Sequence, residues 1–440
     1  MAAPAPAFRQ DLSMPALLSA LREQFGASPA PERSQFTDAD VLMSALAVFS
    51  LKYPSLLAFD TDSHDPKHTL RANLRNLFGV ELAPSDSQLR ERLDRVEPDL
   101  IRSTMQSLWS ALQRGNALEP FRFLGEHLLL SFDGTGQFAS SKISCPHCCV
   151  KHTREGDQFY HQLLAGVLVH PDVKQVLPIE AEPITRGDGD NKNDCERNAA
   201  KRAMTRLRER FPRHKFIIVE DALAANGPHL QLLQSLGLRF IIGVKFTDHA
   251  ALAEAMQQRQ IAGDCHESEC ALDIGGTQGY RYYNDLALNA SHPDVRVNVL
   301  EYWETDAKGK ERYFAWVTDI TLTDDNAWEI ARGGRARWRI ENETFNTLKN
   351  QGYHLEHNFG HGTKHLSSNF ALLCLTAFLI DQIQAHCCRV FQAVREKVGQ
   401  NTRLWRQLRS WFETSELPSW KVLYGLLLGT VKVRMIYDTS

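Results

Sequence analysis

The 440-residue sequence lacks the features of a secreted or membrane-spanning protein. Its start, MAAPAPAFRQ, has neither the basic residues nor the apolar stretch of a signal peptide. The longest apolar run, residues 370–380, has the length of a buried helix rather than of a membrane span. Nine cysteines in such a chain are not expected to form a disulfide framework and are expected mainly in the core. We therefore expect a cytoplasmic protein with no membrane partner.

Strong positive charge is also missing, because the formal net charge is −3. This weighs weakly against a dedicated nucleic-acid binder, which is often basic overall. The local distribution differs, since residues 197–215 contain eight Lys or Arg residues and one acid, Glu209. This pattern predicts a basic helix. Its simplest interpretation is a solvated helix face, and the alternative is a surface that faces DNA.

With 43% hydrophobic residues, the chain can bury a large core and divide into several domains. Helical patterns separated by Pro, Gly and Asp-rich breaks fill residues 1–120, which we interpret as a DNA-binding domain. Residues 121–246 give three strands, a helix, a strand, a helix and a strand, which predicts a mixed α/β core. Residues 247–324 predict a β-rich insertion. The core resumes at 325–395, and a helical segment follows at 396–440.

The segment RARWRIENETFNTLK, residues 335–349, places a carboxylate where a helix should be apolar. At about 100° per residue, one face of this helix carries Trp338, Phe345 and Leu348. Glu341 falls in the middle of that apolar stripe, whereas Glu343 points away from it. A buried carboxylate is costly without a cation, so Glu341 could be a metal-binding or catalytic acid. The alternative is a structural ion pair with Arg337.

Two aspartates end predicted strands of the core. Asp133 follows HLLLSF and precedes small residues, and Asp221 follows HKFIIVE. Strand ends of α/β sheets collect reacting groups, so these two residues and Glu341 could converge. Three converging carboxylates need a counter-cation, and their hard oxygen atoms suit Mg²⁺ or Mn²⁺. Two such ions would assist displacement at a phosphoryl group.

Three blocks in this order resemble DDE transposases of bacterial insertion sequences, most closely insertion-sequence family four. They are SFDGTGQFASS, VEDALAANG and RWRIENETFNTLKNQGYHLEHNFGHG. The resemblance implies a ribonuclease H-like catalytic core interrupted by the β-rich insertion. It also implies that Asp133, Asp221 and Glu341 hold two Mg²⁺ or Mn²⁺ ions for DNA strand cleavage and strand transfer. The expected partners are the terminal inverted repeats and target DNA, bound by a homodimer in the bacterial cytoplasm.

The family carries a Tyr-x2-Arg-x3-Glu-x6-Lys signature on its last acidic helix. Here Arg337 and Glu341 keep that spacing, Gly334 stands at the Tyr position, and Lys349 comes one residue late. The resemblance implies that Arg337 and Lys349 contact DNA phosphate. Glu343, which lies four residues after Arg339, is the alternative third acid. Two alternative functions stay open: a metal-dependent nuclease, and a transposase-derived DNA-binding protein without catalysis.

Cysteines at positions 145 and 148, in the segment CPHCC, have the spacing of half a zinc site. The candidate completing ligands are His147, His152, His161 and Cys195. The alternative is that Cys145 and Cys148 simply pack in a loop between two strands. A later group of histidines is interpreted as polar loop residues: His354, His357, His361 and His365.

Overall fold

The computed structural model describes residues 11–26, 35–189, 192–272 and 275–433. Eleven strands form one mixed, mostly antiparallel sheet. They are β1 (Arg122–Phe123), β2 (His127–Ser140), β3 (Cys149–Thr153), β4 (Gly156–Val169), β5 (Leu177–Ile184), β6 (Phe216–Glu220), β7 (Arg239–Gly243), β8 (His266–Ala271), β9 (Gly276–Asn289), β10 (His292–Asp306) and β11 (Glu311–Thr318). The α/β class expected from the sequence is confirmed.

Helices cover both ends of the chain and connect the strands. They are α1 (Met14–Phe25), α2 (Asp38–Ser50), α3 (Leu56–His64), α4 (Leu70–Asn73), α5 (Asp86–Asp94), α6 (Pro98–Arg114), α7 (Lys192–Arg210), α8 (Gly227–Ser235), α9 (Ala250–Ile261), α10 (Ala327–Arg335), α11 (Asn346–Asn350), α12 (Leu366–Cys387), α13 (Arg389–Val398), α14 (Asn401–Thr414) and α15 (Trp420–Leu428). Two π-helical segments, Leu74–Phe78 and Ile340–Phe345, continue into or out of α-helices.

The centre of the sheet runs in the order β5-β4-β2-β6-β7. β2, β6 and β7 are parallel to one another, whereas β4 is antiparallel to both β2 and β5. The run Leu128–Phe132 of β2 is buried on both faces, which explains its continuous apolar character better than simple alternation does. The parallel pairing brings the carboxyl ends of β2 and β6 to the same edge of the sheet.

The predicted β-rich insertion extends this sheet rather than forming a second one. β11 pairs antiparallel with β7, and β10, β9 and β8 follow in order as antiparallel neighbours. Its aromatic residues pack within the sheet, as where the Phe314 and Trp316 rings stack 5.8 Å apart. The sequence of β-branched and aromatic residues therefore fills a half-buried pleated surface.

Helices from the two ends of the chain share one core. α2 packs against α12, and the side chain of Asn73 donates to the carbonyl oxygens of Phe412 and Ser415. α12 is 22 residues long and apolar enough to cross a membrane, but 89% of its most apolar window is buried inside the protein. Burial against α2 and α6 gives this helix the character of a core helix.

Arginines of the basic helix α7 form ion pairs with acidic residues of the sheet. Arg206 contacts Glu180 at 2.8 Å and Glu182 at 2.6 Å, and Arg202 contacts Glu182 at 2.7 Å. Both glutamates lie on β5 and are buried. Buried carboxylates need such partners, so these arginines compensate charge inside the fold. Arg208 likewise donates to backbone carbonyls, including that of Leu236 at 2.7 Å.

Candidate active site

Asp133 and Asp221 lie near each other because of the parallel register of β2 and β6. This pairing ends at Ser131 with Val219, so Asp133 lies two residues beyond the last residue of β2 that pairs with β6. β2 itself continues to Ser140, and Asp133 pairs with Ala165 of β4, so the expectation that Asp133 ends a strand is wrong. Asp221 follows the last residue of β6, and its carboxylate accepts a hydrogen bond from the backbone N–H of Leu223. Both aspartates border the same cleft. The convergence expected for these two residues is therefore present.

The carboxyl of Asp133 has a strongly perturbed pKa. Burial is the largest cause that raises its pKa, to about 7, and the charges of Glu341 and Asp221 raise it further. The guanidinium of Arg337 and the N–H of Gly134 oppose this shift. All three acids are thus close enough to interact electrostatically. A cation that neutralises the cluster would stabilise the ionised form of this carboxylate.

Glu341 reaches the cluster from the π-helical segment Ile340–Phe345, which packs against β2. Its side chain is 36% exposed and pairs with Arg337 at 2.8 Å, rather than lying in an apolar core. Phe345 and Leu348 are buried as expected, but Trp338 is 49% exposed, so its predicted place on the same face is wrong. α10 ends at Arg335 and the π-helical hydrogen bonds begin at Ile340, so a 100° period does not carry across this junction.

Arg337 lies between two of the three acids. Its Nη1 atom is 2.8 Å from Glu341 Oε1 and 3.4 Å from Asp133 Oδ2, and its guanidinium lies over the Trp338 ring. In this structure it therefore acts as the counter-cation of the cluster. Lys349 instead pairs with Glu356 at 2.9 Å. The structure includes no DNA, so the predicted phosphate contacts of both residues stay predictions.

Gly334, which stands at the position expected for the Tyr of the signature, packs closely against β11. A methyl group on its Cα would lie 2.4 Å from Cε2 of Trp316, a distance that real Cβ atoms essentially never show. The indole of Trp316, on β11, fills the space that a side chain at position 334 would need. A larger side chain therefore has no room at position 334 in this packing.

Glu196 is a carboxylate that the sequence did not single out. It borders the same cleft as Asp133 and Asp221, and a methyl group on Gly134 would lie 3.2 Å from its carboxylate oxygen. Its position as an acid at the start of a basic helix was the only local signal. Beside it, buried Glu220 pairs with His229 at 2.6 Å, so acidic groups continue along the cleft wall.

The three acids offer the type of ligand that the divalent ions expected from the sequence prefer, but in the described structure their oxygens do not all lie within 4.8 Å of one another. Asp133, Asp221 and Glu341 offer hard carboxylate oxygens, which Mg²⁺ and Mn²⁺ prefer. The buried position of Asp133 and the mutual repulsion of the three acids give a cation a reason to bind. Arg337, the present counter-cation, shows that positive charge is accommodated between Asp133 and Glu341.

A second cluster involves Cys145 and Cys148. The structure brings them together with His161 of β4 and His361 of the loop before α12. Of the four completing ligands expected from the sequence, only His161 belongs to this group. His152 pairs with Asp157, Cys195 lies against the Gly189 carbonyl, and exposed His147 is not part of the cluster. His361, interpreted as a polar loop residue, takes the fourth position.

Comparisons with known proteins are sparse. No protein-family model matches the sequence, and no curated protein matches it. Among solved structures, the chain is similar to the piggyBac transposase in the cryo-electron microscopy structure of its synaptic complex with hairpin DNA. The two sequences are 12% identical, the TM-score is 0.39, and the match covers 99% of this chain and 85% of the piggyBac chain. Similarity at this level assigns neither a function nor site residues.

Proposed function

We propose that this protein is a DDE transposase that cleaves and joins DNA with a two-metal site. The observation that carries the proposal is that Asp133 and Asp221 border one cleft, while Arg337 contacts both Asp133 and Glu341. These acids come from three distant parts of the chain. Asp221 follows the carboxyl end of β6, and Asp133 lies just past the parallel pairing of β2 with β6. The carboxyl ends of parallel strands are where an α/β sheet concentrates its reacting groups.

The topology supports a ribonuclease H-like assignment of the core. The order β5-β4-β2-β6-β7, with only β4 antiparallel to β2, corresponds to a five-stranded mixed sheet whose first and fourth strands lie side by side. In that arrangement the first two acids lie on neighbouring central strands. The third acid follows the β-rich insertion, as the resemblance to insertion-sequence transposases implies.

Asp133, Asp221 and Glu341 would hold the ions, with Glu196 near enough to add charge or to orient bound water. Two divalent ions, when bound, supply Lewis acidity at the attacking and leaving oxygens of a phosphodiester. Arg337 would exchange its carboxylate partners for a DNA phosphate, to which a guanidinium is well matched. Lys349, on α11, would contact the DNA backbone farther from the reacting bond.

The bound DNA is proposed to be the two inverted ends of the mobile element, followed by target DNA. Because two ends must be brought together, we propose a homodimer on DNA acting in the bacterial cytoplasm. The N-terminal helices are proposed to contribute to DNA binding. The arginines of α7 that pair with Glu180 and Glu182 are already engaged, so they contribute less to this contact than the sequence suggested.

The test uses the full chain and a supercoiled plasmid that carries its reading frame with the flanking DNA. With Mg²⁺ or Mn²⁺, we expect excision at both ends and joining of the freed 3′ ends to a second plasmid. Asp133→Asn, Asp221→Asn and Glu341→Gln should each lower the rate by about 10²-fold or more, because several kcal/mol of transition-state stabilisation depend on the ions. Thermal unfolding should verify that each variant is folded.

Glu343→Gln is the matched control, because it makes the same change two residues away in the same π-helical segment. It should retain cleavage and joining. Inactivation by Glu343→Gln with full activity of Glu341→Gln would contradict the assignment of the third acid. Hydrolysis without joining would favour the nuclease alternative, and binding without cleavage would favour a DNA-binding protein that has lost catalysis.

A further inference from the structure

Four side chains from separate parts of the chain meet at one point beside the sheet. Cys145 and Cys148 lie in the loop between β2 and β3, His161 lies on β4, and His361 lies in the loop before α12. Cys148 and His161 are buried, and the other two are partly exposed. One ligand atom from each residue lies within 4.8 Å of all the others. The chain therefore brings two sulfur and two imidazole nitrogen atoms together.

The distances within this cluster match those around a tetrahedral metal ion. The two sulfur atoms are 3.5 Å apart, and His161 Nε2 is 3.2 Å from Cys145 Sγ and 3.3 Å from Cys148 Sγ. His361 Nδ1 is 3.6 Å from Cys148 Sγ. Zinc bonds of about 2.3 Å to sulfur and about 2.0 Å to nitrogen place tetrahedral ligands roughly 3.3–3.8 Å apart. The ligand atoms are thus already near their bound positions.

The surroundings hold these ligands in place without a metal. The ring of Phe138 packs against both imidazoles, with centroids 5.4 Å from His161 and 4.4 Å from His361. Directly after His361, the carboxylate of Asp94 accepts hydrogen bonds from the backbone N–H groups of residues 363–366. The loop that supplies His361 is therefore fixed at its far end by α5.

We infer that Cys145, Cys148, His161 and His361 bind one structural Zn²⁺ ion. Two thiolates and two imidazoles form a closed Cys₂His₂ set, which leaves no open position for substrate. The ion would join the β2–β3 loop to the segment between α11 and α12. That segment follows directly from the helix that carries Glu341, so zinc would limit how far the acidic helix can move.

The chemistry of this set separates it from the acid cluster. Sulfur and imidazole ligands favour zinc, whereas the carboxylates favour magnesium or manganese. The inference therefore does not rest on the proposed transposase function. A redox-active Cys-x2-Cys pair is the competing explanation, but a dithiol has no need of two imidazole nitrogens placed against its sulfurs.

The test measures zinc in the full chain, purified without a metal-affinity step and dialysed against metal-free buffer. Mass spectrometry of the acidified protein should find one zinc per chain. Cys148→Ser and His361→Ala should weaken retention against a competing chelator by more than about tenfold, since even changes next to metal ligands cost 10- to 100-fold. His147→Ala, in the same CPHCC segment, and Cys270→Ser should retain zinc fully.

Cobalt substitution gives a second readout that does not depend on folding of the variants. The wild-type chain with Co²⁺ should show thiolate-to-cobalt charge transfer and the intense ligand-field absorption of a tetrahedral site. Absence of zinc and of this cobalt spectrum would overturn the inference, as would isolation of a Cys145–Cys148 disulfide as the native state. Both measurements are made without DNA, so failure here leaves the proposed transposase function untouched.

Discussion

Removing the charge of Asp381 should destabilise the whole protein, because this carboxylate neutralises a lysine buried at the junction of the two chain ends. Lys52 Nζ is 2.7 Å from Asp381 Oδ2, and the two side chains are 4% and 8% exposed. The ammonium group also lies 3.9 Å from the Tyr353 ring centre and 4.3 Å from that of Trp405. The Tyr353 hydroxyl donates to the same carboxylate oxygen at 2.5 Å.

The expected penalty of Asp381→Asn is about 3–5 kcal/mol, the usual cost of breaking a buried ion pair on one side. This penalty has an upper limit, because Lys52 can lose its proton, and a neutral lysine needs no counter-charge. At pH 7 that loss costs about 4.6 kcal/mol, from 1.36 kcal/mol for each of the roughly 3.4 pH units below the pKa of a free lysine. Burial already lowers the pKa of Lys52 while Asp381 opposes the shift.

The sign of the pH dependence follows from this escape route. Without Asp381, the folded state holds Lys52 neutral while the unfolded state still binds its proton, so stability rises with pH. The difference in unfolding free energy between the wild type and Asp381→Asn should therefore decrease as the pH approaches about 10. Its size should be largest near neutral pH.

Urea unfolding, followed by tryptophan fluorescence and circular dichroism, measures this difference. Glu91→Gln is the control, because it breaks an exposed pair with Arg95 and should leave the midpoint unchanged. Lys52→Met combined with Asp381→Leu should recover most of the loss, since an apolar pair needs no counter-charge. A loss below about 1 kcal/mol, or no recovery in the double variant, would refute the reasoning.

Two further predictions concern stability. Asp94→Ala should cost about 1–2 kcal/mol of unfolding free energy, because it removes the cap at the start of α12. Burial alone would raise the pKa of Asp94, but hydrogen bonds from backbone N–H groups lower it to about 2. This stabilisation is therefore present above about pH 4 and is lost as the pH falls toward 2, which acid unfolding of the wild type and of Asp94→Ala would show. Gly334→Ala should cost about 1–3 kcal/mol of unfolding free energy, because the added methyl group collides with Trp316. Gly136→Ala is the control and should keep the wild-type thermal midpoint, because its methyl group meets no atom within 4 Å. Equal midpoints for the two variants would contradict the packing argument.

Local pattern was enough to predict the longer strands of the core and the strand-rich insertion, because each depends on residues close in sequence, but it missed the short strands β1 and β3. It was not enough to predict that the insertion joins the core sheet through β11 and β7, which depends on edge pairing between distant segments. The pairing of α7 with β5 was missed for the same reason. A run of arginines resembles a solvated or DNA-facing helix until Glu180 and Glu182 are placed opposite it.

The candidate site shows the same division. Asp221 follows its strand as predicted, whereas Asp133 lies inside β2, which continues to Ser140. Their proximity follows from the parallel register of β2 and β6. Glu341 was singled out for the burial that an ideal helix would impose, but the π-helical segment leaves it 36% exposed and turns Trp338 outward. The helical period therefore singled out Glu341, but its exposure depends on the π-helical segment, which the period does not predict.

His361 could not be assigned to a metal site from its surroundings in the sequence, because its partner Cys148 is 213 residues away. The positions of the zinc ligands in the fold also lead to a testable prediction about the acid cluster. Cys145 and Cys148 lie in the loop that follows β2, the strand of Asp133, and His161 lies on the neighbouring strand β4. His361 lies in the segment that follows Glu341. A zinc ion would therefore fix the two parts of the chain that must stay aligned if Asp133 and Glu341 share metal ions. Chelation of zinc should then lower the affinity of the acid cluster for Mn²⁺, whereas Glu341→Gln should leave zinc content unchanged.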